Sequence, residues 1–284
     1  MIYEKSSDFV TKFIMSSEFI SSLLAGAAAG VSVDVALFPI DTLKTRSQDT
    51  RGFWKAGGFT GIYRGLSAAV IGSAPGAALF FSVYDSAKRH GSGVFGDGAS
   101  LHMAAAAMGE SAACLARVPT ENVKQKMQAG LTGSLSETVA AIRATQGMRG
   151  FYTGYATTLM REIPFSFIQF PLWEAMKRAR ARQAERPVTA IEGAVFGSIA
   201  GGFSAAVTTP LDVAKTRQML DVEGKTYVGM VPTLRKILAE EGAGALFSGV
   251  TPRVTWITIG GFVFFGAYES VKRQLSPDAG VGAF

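Results

Sequence analysis

Long apolar stretches alternate with polar ones along the whole chain. Six of them, at roughly 19–40, 66–84, 101–118, 155–176, 190–211 and 250–269, approach the ~20 residues that a helix needs to cross a bilayer. They are rich in small residues rather than uniformly aliphatic, as in "AGAAAG" at 25–30, "AAAAMG" at 104–109 and "GAVFGSIAGG" at 193–202. Glycines recur four apart at Gly26 and Gly30, and again at Gly193, Gly197 and Gly201. That spacing lets helices approach closely in lipid, where no hydrophobic force draws apolar helices together. The pattern predicts an all-α membrane protein of six transmembrane helices. Two polar connections carry short amphipathic segments, 136–144 and 232–240, suited to helices lying at the membrane surface. The first connection, with "GFWKAGG" at 52–58, reads instead as a glycine-rich turn.

The chain also repeats itself. "PIDTLKTR" begins at Pro39, "PTENVKQK" at Pro119 and "PLDVAKTR" at Pro210, each of the form proline, any residue, acid, two residues, base, any residue, base. Each is followed by a glycine-aromatic box, "GIYRG" (61–65), "GFYTG" (150–154) and "GALFSG" (244–249). Then come "YDSAK", "WEAMK" and "YESVK", which place an aromatic before Asp85 and Lys88, Glu174 and Lys177, and Glu269 and Lys272. The same three boxes occur in the same order three times. This divides the chain into a polar segment 1–17, repeats over 18–90, 99–182 and 188–275, and a tail 276–284. Each repeat is an apolar helix ending in the proline box, a polar loop, and a second apolar helix ending in the aromatic box.

Composition narrows the function. Of 284 residues 48% are hydrophobic and only 18% charged, below the soluble average of about 25%. The net charge of +6 suits anionic lipid or ligands, and no basic stripe with interleaved aromatics points to nucleic acid. A single cysteine, Cys114, excludes an internal disulfide framework. His90 and His102 lack ligand spacing, so neither a metal nor a cofactor is expected. Hydrolase, nucleotide-binding and metalloprotease motifs are missing, which argues against an enzyme. Residues 1–17 carry Glu4 and Asp8 and no arginine, so a cleaved targeting segment is not expected. Basic residues divide too evenly between the two sides to set orientation.

Charges inside apolar helices are costly and mark function. Asp34 lies seven residues before Asp41, two turns away on the same face. Glu110, Arg117 and Glu121 also share a face, whereas Arg161 and Glu162 precede Pro164, beyond which helical phase is uncertain. Each of these either contacts a substrate or forms a buried pair between helices. Within each proline box, acid and base stand three apart, as Asp41 and Lys44 do. They pair either within their own helix or with a neighbouring repeat. Proline bends a helix by removing one donor and crowding the preceding turn. Arg46, the second base of the first box, has no assigned partner.

The tripled proline boxes at Pro39, Pro119 and Pro210, with aromatic boxes at Tyr84, Trp173 and Tyr268, resemble the signature of the mitochondrial carrier family over about 19–275. The resemblance implies a threefold pseudosymmetric six-helix barrel of the inner membrane, with both termini toward the intermembrane space and a central site served by alternating access. It implies a matrix gate of inter-repeat pairs, Asp41 with Lys124, Glu121 with Lys215, and Asp212 with Lys44. A cytoplasmic gate would use Asp85, Lys88, Glu174, Lys177, Glu269 and Lys272. Family contact points about thirteen residues before the acids of the aromatic boxes fall on Gly72, Arg161 and Trp256. The stretches 30–46, 109–125, 161–174, 208–217 and 260–269 resemble a branch that imports S-adenosylmethionine and exports S-adenosylhomocysteine. On that reading Arg161 takes the carboxylate, Glu162 the ammonium, and Asp34 and Glu110 the sulfonium, near Arg117. Phe80, Phe81 or Trp256 walls the adenine, and Gly72, Ser73 and Gly76 either leave room or permit close packing. Cardiolipin is the implied lipid partner and the monomer the functional unit. Carriage of another amino acid or of an adenine nucleotide or cofactor, and a non-transporting scaffold on the same fold, are the other readings.

Overall fold

A computed structural model describes residues 34–95 and 99–260. Among the described residues every regular element is helical. Helix α1 occupies 34–47, α2 Leu66–Phe95, α3 Ala99–Gln128, α4 Leu135–Gln146 and α5 Tyr155–Ala184. Helix α6 spans Ala190–Val207, α7 Thr209–Leu220 and α8 Met230–Glu241, and α9 runs from 250 to 260. Short 3₁₀ turns at Met148–Tyr152 and Ala243–Phe247 follow α4 and α8. Helix α2 packs along α3, and α5 along α6.

The proline boxes act differently in the three repeats. Pro119 lies inside the continuous α3, and Pro39 inside α1. Pro210 stands in the first turn of α7, where its missing donor is not needed. There α6 and α7 are separated by a sharp bend of 65°. Among the described residues no single helix is long and apolar enough to cross a membrane, while this bent pair is so by length and composition. The apolar stretches also carry charge; α3 alone holds Glu110, Arg117, Glu121 and Lys124. Prolines do not end α5, which continues through Pro164 and Pro171.

Both amphipathic segments form helices. Ser134 caps α4 by accepting from the Glu137 amide at 3.2 Å. Ile142 of α4 then docks on Val123 and Met127 of α3, so its apolar stripe is buried against the repeat rather than left to water. A second small core joins repeats two and three through Cys114, Val118 and Met219. The first connection, 48–65, has turns only.

The second base of each proline box ties a loop down, each in its own way. Arg217 reaches Glu241, past the loop of its own repeat, at 2.7 Å. Lys126 donates to the Asp221 carbonyl at 3.2 Å, linking repeat two to repeat three. Arg46 is buried and, among the described residues, bonds main-chain oxygens alone: Gln128 at 2.8 Å, Gly58 and Thr60 at 2.7 Å, and Gly61 at 3.3 Å. The partner that the sequence left unassigned is thus a cage of carbonyls.

Candidate functional site

One cavity of about 690 Å³ draws its walls from all three repeats. Each contributing helix presents one stripe. Asp34, Asp41 and Lys44 come from α1, Ala69 and Gly72 from α2, and Arg117, Thr120, Glu121 and Lys124 from α3. Helix α5 gives Arg161, Glu162, Phe165 and Gln169, α7 gives Asp212 and Lys215, and α9 gives Arg253, Trp256, Ile257 and Gly260. These are spacings of three, four and seven, the residues that share one face of an α-helix. Asp34 and Asp41 both line the cavity, as their two-turn separation requires.

At the loop end of the cavity three ion pairs join neighbouring repeats. Lys124 Nζ lies 2.9 Å from Asp41 Oδ2, Lys215 Nζ 2.6 Å from Glu121 Oε1, and Lys44 Nζ 2.8 Å from Asp212 Oδ2. Of the two arrangements open to each box, the structure has the inter-repeat one. The set closes into a ring because each repeat gives its acid to one neighbour and its base to the other.

The links are not equivalent. Gln128 Nε2 donates to Asp41 Oδ2 at 2.9 Å, and Gln125 Nε2 to Glu121 Oε1 at 3.1 Å. Asp212, only 2% exposed, also accepts from Gln48 Nε2 at 3.0 Å and from Arg253 Nη1, and Arg161 Nε lies 3.7 Å away. Arg253 is itself buried, fixed by the Ala205 carbonyl at 3.2 Å and Thr208 Oγ1 at 3.1 Å. Three cations therefore converge on one carboxylate in a setting where removing a partner is expensive.

Above the ring, Arg161 Nη2 bonds Glu162 Oε1, and Arg161 Nε is buried with no hydrogen-bond partner. A guanidinium at the cavity wall is suited to receive an anion. Glu110 does not line the cavity but braces Arg117, which does, at 2.6 Å. Trp256 reaches the wall. Phe80 does not: it faces α3 beside Gly109 and stacks on Tyr84, 5.9 Å between centroids. Phe165 and Gln169 hold wall positions that the sequence reading passed over. Their signal was the four-residue step 161, 165, 169, obscured by Pro164.

Gly72 lines the cavity, yet a Cβ there would meet Thr120 Oγ1 at 2.1 Å and Thr120 Cβ at 2.6 Å. It serves close packing of α2 on α3. Gly72→Ala is therefore expected to lower the thermal unfolding midpoint, with a cost of about 1–3 kcal/mol from overpacking, while Thr120→Ala alone has a smaller effect. Thermal unfolding of both variants checks this; an unchanged midpoint for Gly72→Ala refutes the packing role.

Of the aromatic-box charges, Glu174 and Lys177 pair with each other within α5 at 3.1 Å, and Lys177 sits 4.0 Å over the Trp173 ring. Lys88 is half-buried on α2. The side chains of Asp85, Phe81 and Ser73, and residues Glu269 and Lys272, lie outside the described residues. Among the described residues no cluster of metal-ligating side chains occurs.

The family profile described as "Mitochondrial carrier protein" matches residues 16–93, 97–183 and 186–279. A Xenopus laevis protein named "Mitochondrial S-adenosylmethionine carrier protein" is 48% identical over 261 residues, covering 91% of this chain and 98% of its own. "S-adenosylmethionine mitochondrial carrier protein homolog" of Drosophila melanogaster is 48% identical over 267 residues, covering 91% and 94%. "Putative mitochondrial carrier protein PET8" of Eremothecium gossypii is 50% identical over 270 residues, covering 90% and 98%. With three profile matches spanning nearly all of its length, and relatives near half identity along it, the chain belongs to the mitochondrial carrier family.

Proposed function

We propose that the chain is an inner-membrane antiporter that brings S-adenosylmethionine into the mitochondrial matrix in exchange for S-adenosylhomocysteine by alternating access. The observation that carries this reading is the cavity lined by Arg161 and Glu162 and closed at its loop end by the three-pair ring. The amino-acid end of the substrate supplies a carboxylate for the Arg161 guanidinium and an ammonium for Glu162. The sulfonium finds Asp34 at the wall, and Phe165 or Trp256 offers a face for adenine. Outside the ring the site's charges are balanced: Arg117, Arg161 and Arg253 stand against Glu110, Asp34 and Glu162. Such balance suits a zwitterion and disfavours a polyphosphate. The names of the relatives support the same substrate.

On this reading the six apolar stretches form a barrel of three repeats, one chain supplies the whole cavity, and both termini face the intermembrane space. The ring is the matrix gate, and the aromatic-box charges are the opposite one. A bound substrate opens a gate only by interacting more favourably with the open form than with the closed one. Liposomes holding the purified protein are expected to take up labelled S-adenosylmethionine, faster when loaded with S-adenosylhomocysteine. Uptake no greater than into empty liposomes would falsify the proposal, and inhibition by unlabelled nucleotides instead would redirect it to another substrate.

A further inference from the structure

We infer that Gln169 reads the purine: its carboxamide takes the 6-amino group and an adjacent ring nitrogen of adenine, and so sets which base is accepted. The inference rests on the adenosyl substrate proposed above and adds a specificity-determining residue to it. Along the cavity wall, charge gives way to uncharged groups in the same order on two helices. On α5, Arg161 and Glu162 come first, with Arg161 Nε 3.7 Å from Asp212 of the ring, and Phe165 and Gln169 follow. On α9, Arg253 comes first, bonded to the same Asp212, and Trp256, Ile257 and Gly260 follow. A ligand with a charged head and an aromatic end matches that order in one orientation, head toward the ring.

Length fits the same placement. Helix α5 continues through Pro164, so Gln169 stands about 12 Å beyond Arg161 along its axis. In an adenosylated amino acid about a dozen bonds lead from the carboxyl carbon to the amino-bearing carbon of the base, about 14 Å when extended at roughly 1.2 Å per bond. A ligand held at Arg161 and lying along α5 therefore brings its base edge to Gln169. The side chain is seated there by its neighbours. A Cβ on Gly201 of α6 would meet Gln169 Nε2 at 3.3 Å and Ile257 Cγ2 of α9 at 2.9 Å, so the glycine is what lets both lie against α6. Gln169 and Ile257 also line a second cavity of about 520 Å³, walled further by Phe170, Trp173 and Gly197. Gln169 thus stands half-buried where two spaces adjoin, and among the described residues nothing hydrogen-bonds its carboxamide. An amide offers a donor and an acceptor side by side, and adenine presents the complementary pair, an amino donor beside a ring-nitrogen acceptor. The charged side chains of the wall cannot make that match, because a carboxylate only accepts and a guanidinium or ammonium only donates.

Base preference tests the role. The two competing ligands are S-adenosylhomocysteine and its analogue with hydrogen in place of the 6-amino group. In liposomes exchanging labelled S-adenosylmethionine, the wild type is expected to be inhibited about tenfold more strongly by the first. Gln169→Met, of similar length, is expected to bring the two ligands within about twofold of each other. Gln169→Glu keeps the shape and the acceptor for the amino group, and is expected to keep the preference. A wild type that exchanges S-adenosylmethionine without separating the two ligands overturns the inference. So does Gln169→Met with the wild-type ratio, as a packing role alone would give, or Gln169→Glu without the preference. A wild type that neither exchanges adenosyl ligands nor is thermally stabilised by them in detergent overturns the proposed function, and this inference with it.

Discussion

Liposomes carrying Arg161→Ala are expected to show no uptake of S-adenosylmethionine above background. The guanidinium is mostly buried at the wall, bonded to Glu162 on one edge, with Nε unsatisfied and Asp212 Oδ1 3.7 Å away. It is a planar cation at the cavity wall, with the fork geometry that suits a carboxylate. Arg161→Lys keeps the charge and loses the fork. A charge-assisted bond contributes about 1.5–3 kcal/mol, so the lysine variant is expected to lose about tenfold to a hundredfold in uptake at low substrate. Glu162→Gln is expected to weaken ammonium recognition while leaving the carboxylate contact. Near-normal uptake by Arg161→Ala in protein that still unfolds cooperatively would remove Arg161 from the site.

Asp212→Asn is expected to be the most damaging neutralisation in the ring. The carboxylate is almost fully buried and faces Lys44, Arg253 and the edge of Arg161. An amide there leaves those cations uncompensated, and breaking a buried pair from one side costs about 3–5 kcal/mol. Asp41 and Glu121 each bind one lysine of a neighbouring repeat and one glutamine, and both are more exposed. Asp41→Asn and Glu121→Gln should therefore lower the unfolding midpoint by less, and Arg253→Gln combined with Asp212→Asn should recover part of the loss. Thermal unfolding of the set in detergent gives the order. Equal losses at all three acids would show that Arg253 and Arg161 add nothing to the third link.

The ring was legible in the sequence because its residues occur three times and because three repeats must close on each other. The boxes alone left pairing within a helix or between repeats open; it was the family resemblance that implied Asp41 against Lys124 and Asp212 against Lys44. The amphipathic segments at 136–144 and 232–240 were legible through their 3.6-residue period, and both are helices. What the sequence hid has physical reasons. Gln48 and Gln128 stand four after the first base of their boxes, but the third box has Met219 there, so no tripled pattern exists. Arg253 has no echo in the other repeats at its contact with Asp212. Phe165 and Gln169 follow a proline that was expected to disturb helical phase and does not. Phe80 and Gly72 turn on which neighbour each side of α2 meets, which periodicity within one helix cannot decide.

The cage around Arg46 bears on how this chain can change over time. Its acceptors, at Gly58, Thr60, Gly61 and Gln128, are all main-chain oxygens. The acceptor oxygens belong to the backbone, so the tie does not depend on which side chain Thr60 carries. The tie of repeat three, Arg217 to Glu241, is lost by changing either residue. In repeat one the constraint instead concentrates on Arg46 itself and on the glycines that shape the cage, whose left-handed backbone few other residues tolerate.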